Sequence, residues 1–121
     1  MSKMMSYSKI EKAILHDFRN KVNHAESTED LKKFFAYSAQ ELFNNVFAGK
    51  MTFNYDDTSL LTDNVPHYQL HERLLAANSF KAVWDSSDLP HVLGRLAKVA
   101  ANHYIRLEKN PAKTEAKIRM I

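Results

Sequence analysis

The chain has 121 residues, 45% of them apolar, which suits one domain with a core of its own and excludes global disorder. Two glycines and three prolines are too few turn residues for an all-β fold, and the absence of cysteine excludes disulfides, thiolate zinc sites, iron–sulfur clusters and cysteine nucleophiles. Seventeen basic and fourteen acidic side chains leave a net charge of +3, which permits contact with nucleic acid without requiring it.

The charge is unevenly spread. Residues 1–40 carry 7 basic and 5 acidic groups, residues 41–80 carry 2 and 5, and residues 81–121 carry 8 and 4. No apolar run approaches the ~20 residues of a membrane span. The opening MSKMMSYSKI lacks the apolar stretch of a secretory signal, so a cytoplasmic location is expected.

Four helices are predicted in chain order. The first spans about Ser6 to His24, with Tyr7, Ile10, Ile14, Phe18 and Val22 on one face. The second starts where Ser27 or Thr28 can cap free backbone amides and Glu29 and Asp30 meet the positive end of the helix dipole. Its stripe runs Leu31, Phe34, Phe35, Ser38, Ala39, Leu42, Phe43, Val46 and Phe47, and Gly49 is placed to end it in a left-handed conformation.

Residues 50–64 lack a helical period. Met51, Phe53 and Tyr55 alternate with polar residues like a short strand, but no partner strand is evident, so an ordered loop is expected. Asn64 and Pro66 open a third helix that runs to Trp84, with a kink near Asn78 and Ser79. Asp88 caps the fourth, whose apolar face is Leu89, Val92, Leu93, Leu96, Ala100, His103, Tyr104 and Leu107, and which stops at Asn110–Pro111. The expected fold is therefore all-α: one domain over residues 1–121, an antiparallel four-helix bundle with one long ordered loop between the second and third helices, and a basic tail over residues 110–121. The abundance of apolar stripes suggests that part of them is buried in a homodimer.

Three residue groups suggest chemistry. The string Arg19-Asn20-Lys21-Val22-Asn23-His24 resembles the signature of the HEPN family of small helical domains, many of which are metal-independent RNases acting as dimers. The resemblance implies catalytic roles for Arg19, Asn20 and His24. A guanidinium can grip a scissile phosphate, and an imidazole can move the 2′-hydroxyl proton. Without the resemblance, the same residues are solvated groups at a helix end.

His67 and His71 are four apart and fall on one predicted helical face, and His103 lies in the apolar face of the last helix. Together they could ligate a metal, or simply bond to backbone and tyrosines. Arg95, Lys98, Arg106 and Lys109, with Asn102 among them, form a stripe that could track a phosphate backbone or serve as a solvated face.

No phosphate-binding glycine loop or nucleophile elbow is present, and no cofactor is called for. The favoured function is a non-enzymatic module that binds a protein partner through helix faces and the 50–64 loop, where Met51, Phe53, Tyr55, Leu60 and Leu61 form an apolar patch. RNA cleavage through Arg19 and His24 is the alternative, and histidine metal binding is the third.

Overall fold

A computed structural model describes residues 6–62 and 66–109. Among these, helix dominates: α1 is Ser8–Asn23, α2 Thr28–Phe47, α3 Glu72–Ala76, α4 Asn78–Ser86 and α5 Leu89–Lys109. A 3-10 turn at Tyr55–Asp57 leads into β1, Thr58–Leu60, which pairs with β2, Tyr68–Leu70. No helix of the described residues is long and apolar enough to cross a membrane.

The stripes of α1, α2 and α5 make the core. Ile14, Phe18 and Val22 meet Leu31, Phe35, Leu42 and Phe43, and Leu89, Val92, Leu93 and Leu96 close over them. The helix starts follow local chemistry. Ser27 Oγ accepts a bond from the Asp30 amide at 3.2 Å, as a side-chain cap should. The left-handed end of α2 begins one residue before the expected glycine, at Ala48 (φ 49°), and continues through Gly49 (φ 82°).

The direction of α5 departs from an antiparallel bundle. Asp88, just before α5, accepts a bond from the Tyr7 amide at 2.9 Å, and Arg95 bonds Glu11 at 2.8 Å. Both helices thus start at the same end and run the same way. At the far end Lys32 Nζ lies 5.6 Å over the ring of Tyr104, so α2 runs against both. The residues between α2 and α5 carry the chain back along the core, which is why α1 and α5 are parallel. Asp88 stands at the expected start of α5, its carbonyl accepting the His91 and Val92 amides, while its carboxylate holds the start of α1.

Two expected elements are replaced. The loop over 50–64 contains a strand, and the helix expected from Asn64 to Trp84 is β2 followed by two short helices. Residues 63–65, including the expected Asn64 cap, lie outside the described residues, as does the 110–121 tail. The strands pair antiparallel with Thr58 opposite Leu70, Ser59 opposite Gln69 and Leu60 opposite Tyr68. Three-residue strands are too short to show a period of two. His67, Leu70, His71 and Leu74 around β2 also fit a helical face, and pairing decides between strand and helix. The His71 ring then accepts the Arg73 amide at 3.0 Å and starts α3, and an extended Ala77 (φ −82°, ψ 116°) separates α3 from α4.

Five aromatic rings lock this second half to α2. Phe80 stacks on Phe47 at 5.5 Å and on Trp84 at 5.5 Å, and packs edge-on to Phe43 at 5.4 Å. Phe53 fills the remaining side, 5.2 Å from Phe43 and 5.2 Å from Phe47. The Gln40 side-chain amide donates to the Phe53 carbonyl at 2.8 Å and pins the segment to α2.

Candidate partner-binding groove

The chain from Phe53 to Leu60 runs against the direction of α2. Phe53 meets Gln40, Tyr55 meets Tyr37, and β1 follows beside the first turns of the helix. Between the two elements lies an open groove of ≈ 670 Å³. Lys33, Ala36 and Tyr37 form its α2 wall, and Tyr55, Asp56 and β1 form the other.

Tyr37 and Tyr55 stand at its mouth. Their rings stack at 5.7 Å with 29° between planes, yet the residues remain 47% and 55% exposed. Leu75 is the other large apolar residue described as exposed. The stripes that suggested a dimer are otherwise largely covered within the chain itself.

The wall is held from behind by Asp57. Its carboxylate accepts from the Asn54 amide at 2.7 Å and pairs with Arg73 through both Nε, at 3.2 Å, and Nη2. Arg73 also donates to the Thr52 carbonyl at 3.0 Å. Burial pushes the Asp57 carboxyl up, but the Arg73 and Asn54 hydrogen bonds and the charges of Arg73 and His71 outweigh it and hold the group below its ordinary range. The turn that presents Tyr55 and Asp56 is thereby tied to the β-hairpin and to α3.

The predicted patch divides. Phe53 and Leu60 are buried, so their side chains belong to the core rather than to an outward apolar patch. Met51 and Leu61 are half-buried, and Tyr55 is the exposed member. Leu60 touches the groove only from its floor. Phe53 and Leu60 alternate with polar neighbours because each packs inward from an extended chain. The same spacing in a loop looks like an outward apolar patch.

Tyr37 was not apparent as a site residue. Its signal is an aromatic on the polar side of the α2 stripe, where the helical period calls for a solvated group.

Arg19, Asn20 and His24 are all exposed at the C-terminal end of α1. His24 Nδ1 lies 2.7 Å from the Asn20 carbonyl, which makes Nδ1 the donor and fixes the ring at the helix end. No hydrogen bond joins Arg19 to His24 among the described residues.

The three histidines are not gathered. His67 and His71 flank β2 rather than sharing a helical face. His67 Nδ1 contacts the Leu61 carbonyl at 3.1 Å, and His71 caps α3. His103 sits half-buried on α5. Among the described residues no group of three or more His, Asp or Glu side chains is placed to hold a metal ion.

Burial, and then the charge of Arg106, pushes the His103 imidazole below its ordinary value. An unfolded imidazole titrates near ~6.5, so the unfolded chain takes up the proton first. The stabilisation is present above that pH and lost as pH falls through the lower folded value. Urea unfolding is expected to show His103→Gln losing less stability than the wild type as pH falls below about 6.5.

The basic stripe is shorter than its sequence. Arg95 is committed to Glu11, with Nε at 2.5 Å and Nη2 at 2.8 Å from the two carboxylate oxygens. Lys98 is exposed, Arg106 is exposed but interacts within the chain, and the Lys109 side chain lies outside the described residues. Glu11 is buried against α5, and a buried carboxylate needs such a partner.

No family model, curated protein or solved structure matches this chain.

Proposed function

We propose that the chain is a partner-binding module and that its binding surface is the groove between α2 and residues 55–60. The supporting observation is the exposed, stacked Tyr37–Tyr55 pair at the groove mouth, in a chain that fully buries Phe18, Phe35, Phe43 and Phe80. Exposed aromatics beside a concave surface are favoured anchors for a protein partner. Both rings project to solvent, so their removal leaves the core intact.

Selection of displayed random peptides on the immobilised protein tests this. Enriched peptides are expected to bind the wild type and to lose about tenfold or more in affinity for the Tyr37→Ala, Tyr55→Ala double variant. Equal binding to both proteins, or no enrichment over an empty support, would contradict the reading.

A second reading is metal-independent RNA cleavage by Arg19 and His24. Its support is the exposure of Arg19 and His24 at one helix end, with the His24 ring anchored through Nδ1 to the Asn20 carbonyl and Nε2 uninvolved in that bond. RNA cleavage in EDTA by the wild type but not by the Arg19→Ala, His24→Ala variant is the expected result. No cleavage by either protein rejects it.

A further inference from the structure

Among the described residues, pairing between the strands leaves one edge of β1 without partners. The Leu61 amide donates to the His67 carbonyl at 2.8 Å, and the His71 amide donates to the Asp57 carbonyl at 2.8 Å. In an antiparallel ladder such bonds fall on alternate residues. Asp57, Ser59 and Leu61 therefore turn their backbone groups toward β2. Thr58 and Leu60 turn theirs away, and no other described residue bonds them.

Thr58 is only 3% exposed and Leu60 only 8%, and both line the groove. Backbone amides and carbonyls so enclosed are nearly always paired in folded proteins. A strand edge with free donors and acceptors is a template for an extended peptide.

The charges beside that edge select the peptide. Glu29, Asp30 and Asp56 line the groove with Lys32 and Lys33, an acidic excess of one charge, and Lys32 is drawn over the Tyr104 ring. Asp30 accepts the Glu26 amide at 3.2 Å. Asp56 makes no hydrogen bond or ion pair among the described residues, and it adjoins the stacked Tyr37–Tyr55 pair. Two tyrosine faces and a free carboxylate complement a guanidinium, which stacks on the rings while pairing with the acid.

We infer that the groove takes an extended, arginine-bearing peptide segment of a protein partner, its main chain bonded to Thr58 and Leu60 and its guanidinium against Tyr37, Tyr55 and Asp56. This rests on the groove being the binding surface.

The test is a nuclear magnetic resonance titration of the full chain with a synthetic capped peptide, Ser-Thr-Arg-Val-Thr-Val-Thr-Ser. The amide protons of Thr58 and Leu60 are expected to move downfield, and the Tyr37 and Tyr55 ring signals to shift with them. Methylating alternate peptide nitrogens in one phase is expected to weaken binding about tenfold or more, while the other phase is tolerated. Replacing the arginine by uncharged citrulline, or Asp56→Asn in the protein, is expected to weaken it about tenfold.

Two results overturn the inference while sparing the groove itself. One is that peptides selected through Tyr37 and Tyr55 bind with the Thr58 and Leu60 amides unmoved. The other is that both methylated series, or the citrulline peptide, bind like the parent. Absence of any peptide that engages the groove overturns both readings.

Discussion

Replacing Phe80 with alanine is expected to lower the stability of the fold by about 4 kcal/mol, near the upper end for a core aromatic. The ring is fully buried and is the sole buried side chain of α4. It contacts Phe43, Phe47 and Trp84 within 5.5 Å, and each such aromatic pair adds about 0.5–1.5 kcal/mol beyond the area it buries. The cavity left behind is bounded by α2, and helices do not collapse freely into such a space. A domain of this size has only about 5–15 kcal/mol in hand, so the midpoint of urea unfolding should fall steeply. Phe80→Leu refills part of the volume but loses the ring pairs, and should cost about 2 kcal/mol, clearly less than alanine. Hydrogen exchange should also quicken first in α4, which has no other buried anchor. A loss below about 1 kcal/mol for the alanine variant would mean that the aromatic cluster does not hold the second half of the chain.

Asp57→Ala is expected to cost about 3 kcal/mol, the second largest effect. The substitution leaves the Asn54 amide without its acceptor and removes the carboxylate partner of Arg73. The Arg73 side chain is 40% exposed and can be hydrated once freed, which keeps the loss below that of a fully enclosed pair. Because folding holds the Asp57 carboxyl below its ordinary range, the unfolded chain is protonated first on acidification. The stabilisation is therefore complete above the unfolded value near ~4 and disappears as pH falls through the folded one. The gap in unfolding free energy between the wild type and Asp57→Asn should narrow steadily below about pH 4. A gap that stays constant with pH would show that the carboxylate charge contributes nothing.

Helices whose apolar residues recur at a clear 3.6-residue period were legible in the sequence. The stripes of α1, α2 and α5 predict their own burial, and Ser27 marks the start of α2 by its side chain alone. The segment between α2 and α5 was not legible, because short strands carry too few residues to show a period of two. Met51, Phe53 and Tyr55 looked like the strand of that region, whereas pairing falls on Thr58–Leu60 and depends on Tyr68–Leu70 lying opposite. His67, Leu70, His71 and Leu74 also satisfy helical spacing, and only the partner strand resolves the ambiguity. The parallel course of α1 and α5 follows from that missed hairpin.

Candidate site residues were legible to a lesser degree. Tyr55 stood out, but its companion Tyr37 is read only when the two elements are laid side by side. Arg95 looked like one more cation in a stripe because its partner, Glu11, lies on a distant helix. Spacing along one helix reveals neighbours at one turn and says nothing of what packs across.

The central claim is that the groove beneath Tyr37 and Tyr55 is where this chain meets its partner. The most direct measurement is the affinity of groove-selected peptides for the wild type and for the Tyr37→Ala, Tyr55→Ala variant, with urea unfolding of both proteins alongside. Unchanged unfolding together with a loss of about tenfold or more in affinity is the expected result. Equal affinity for two equally stable proteins would contradict it.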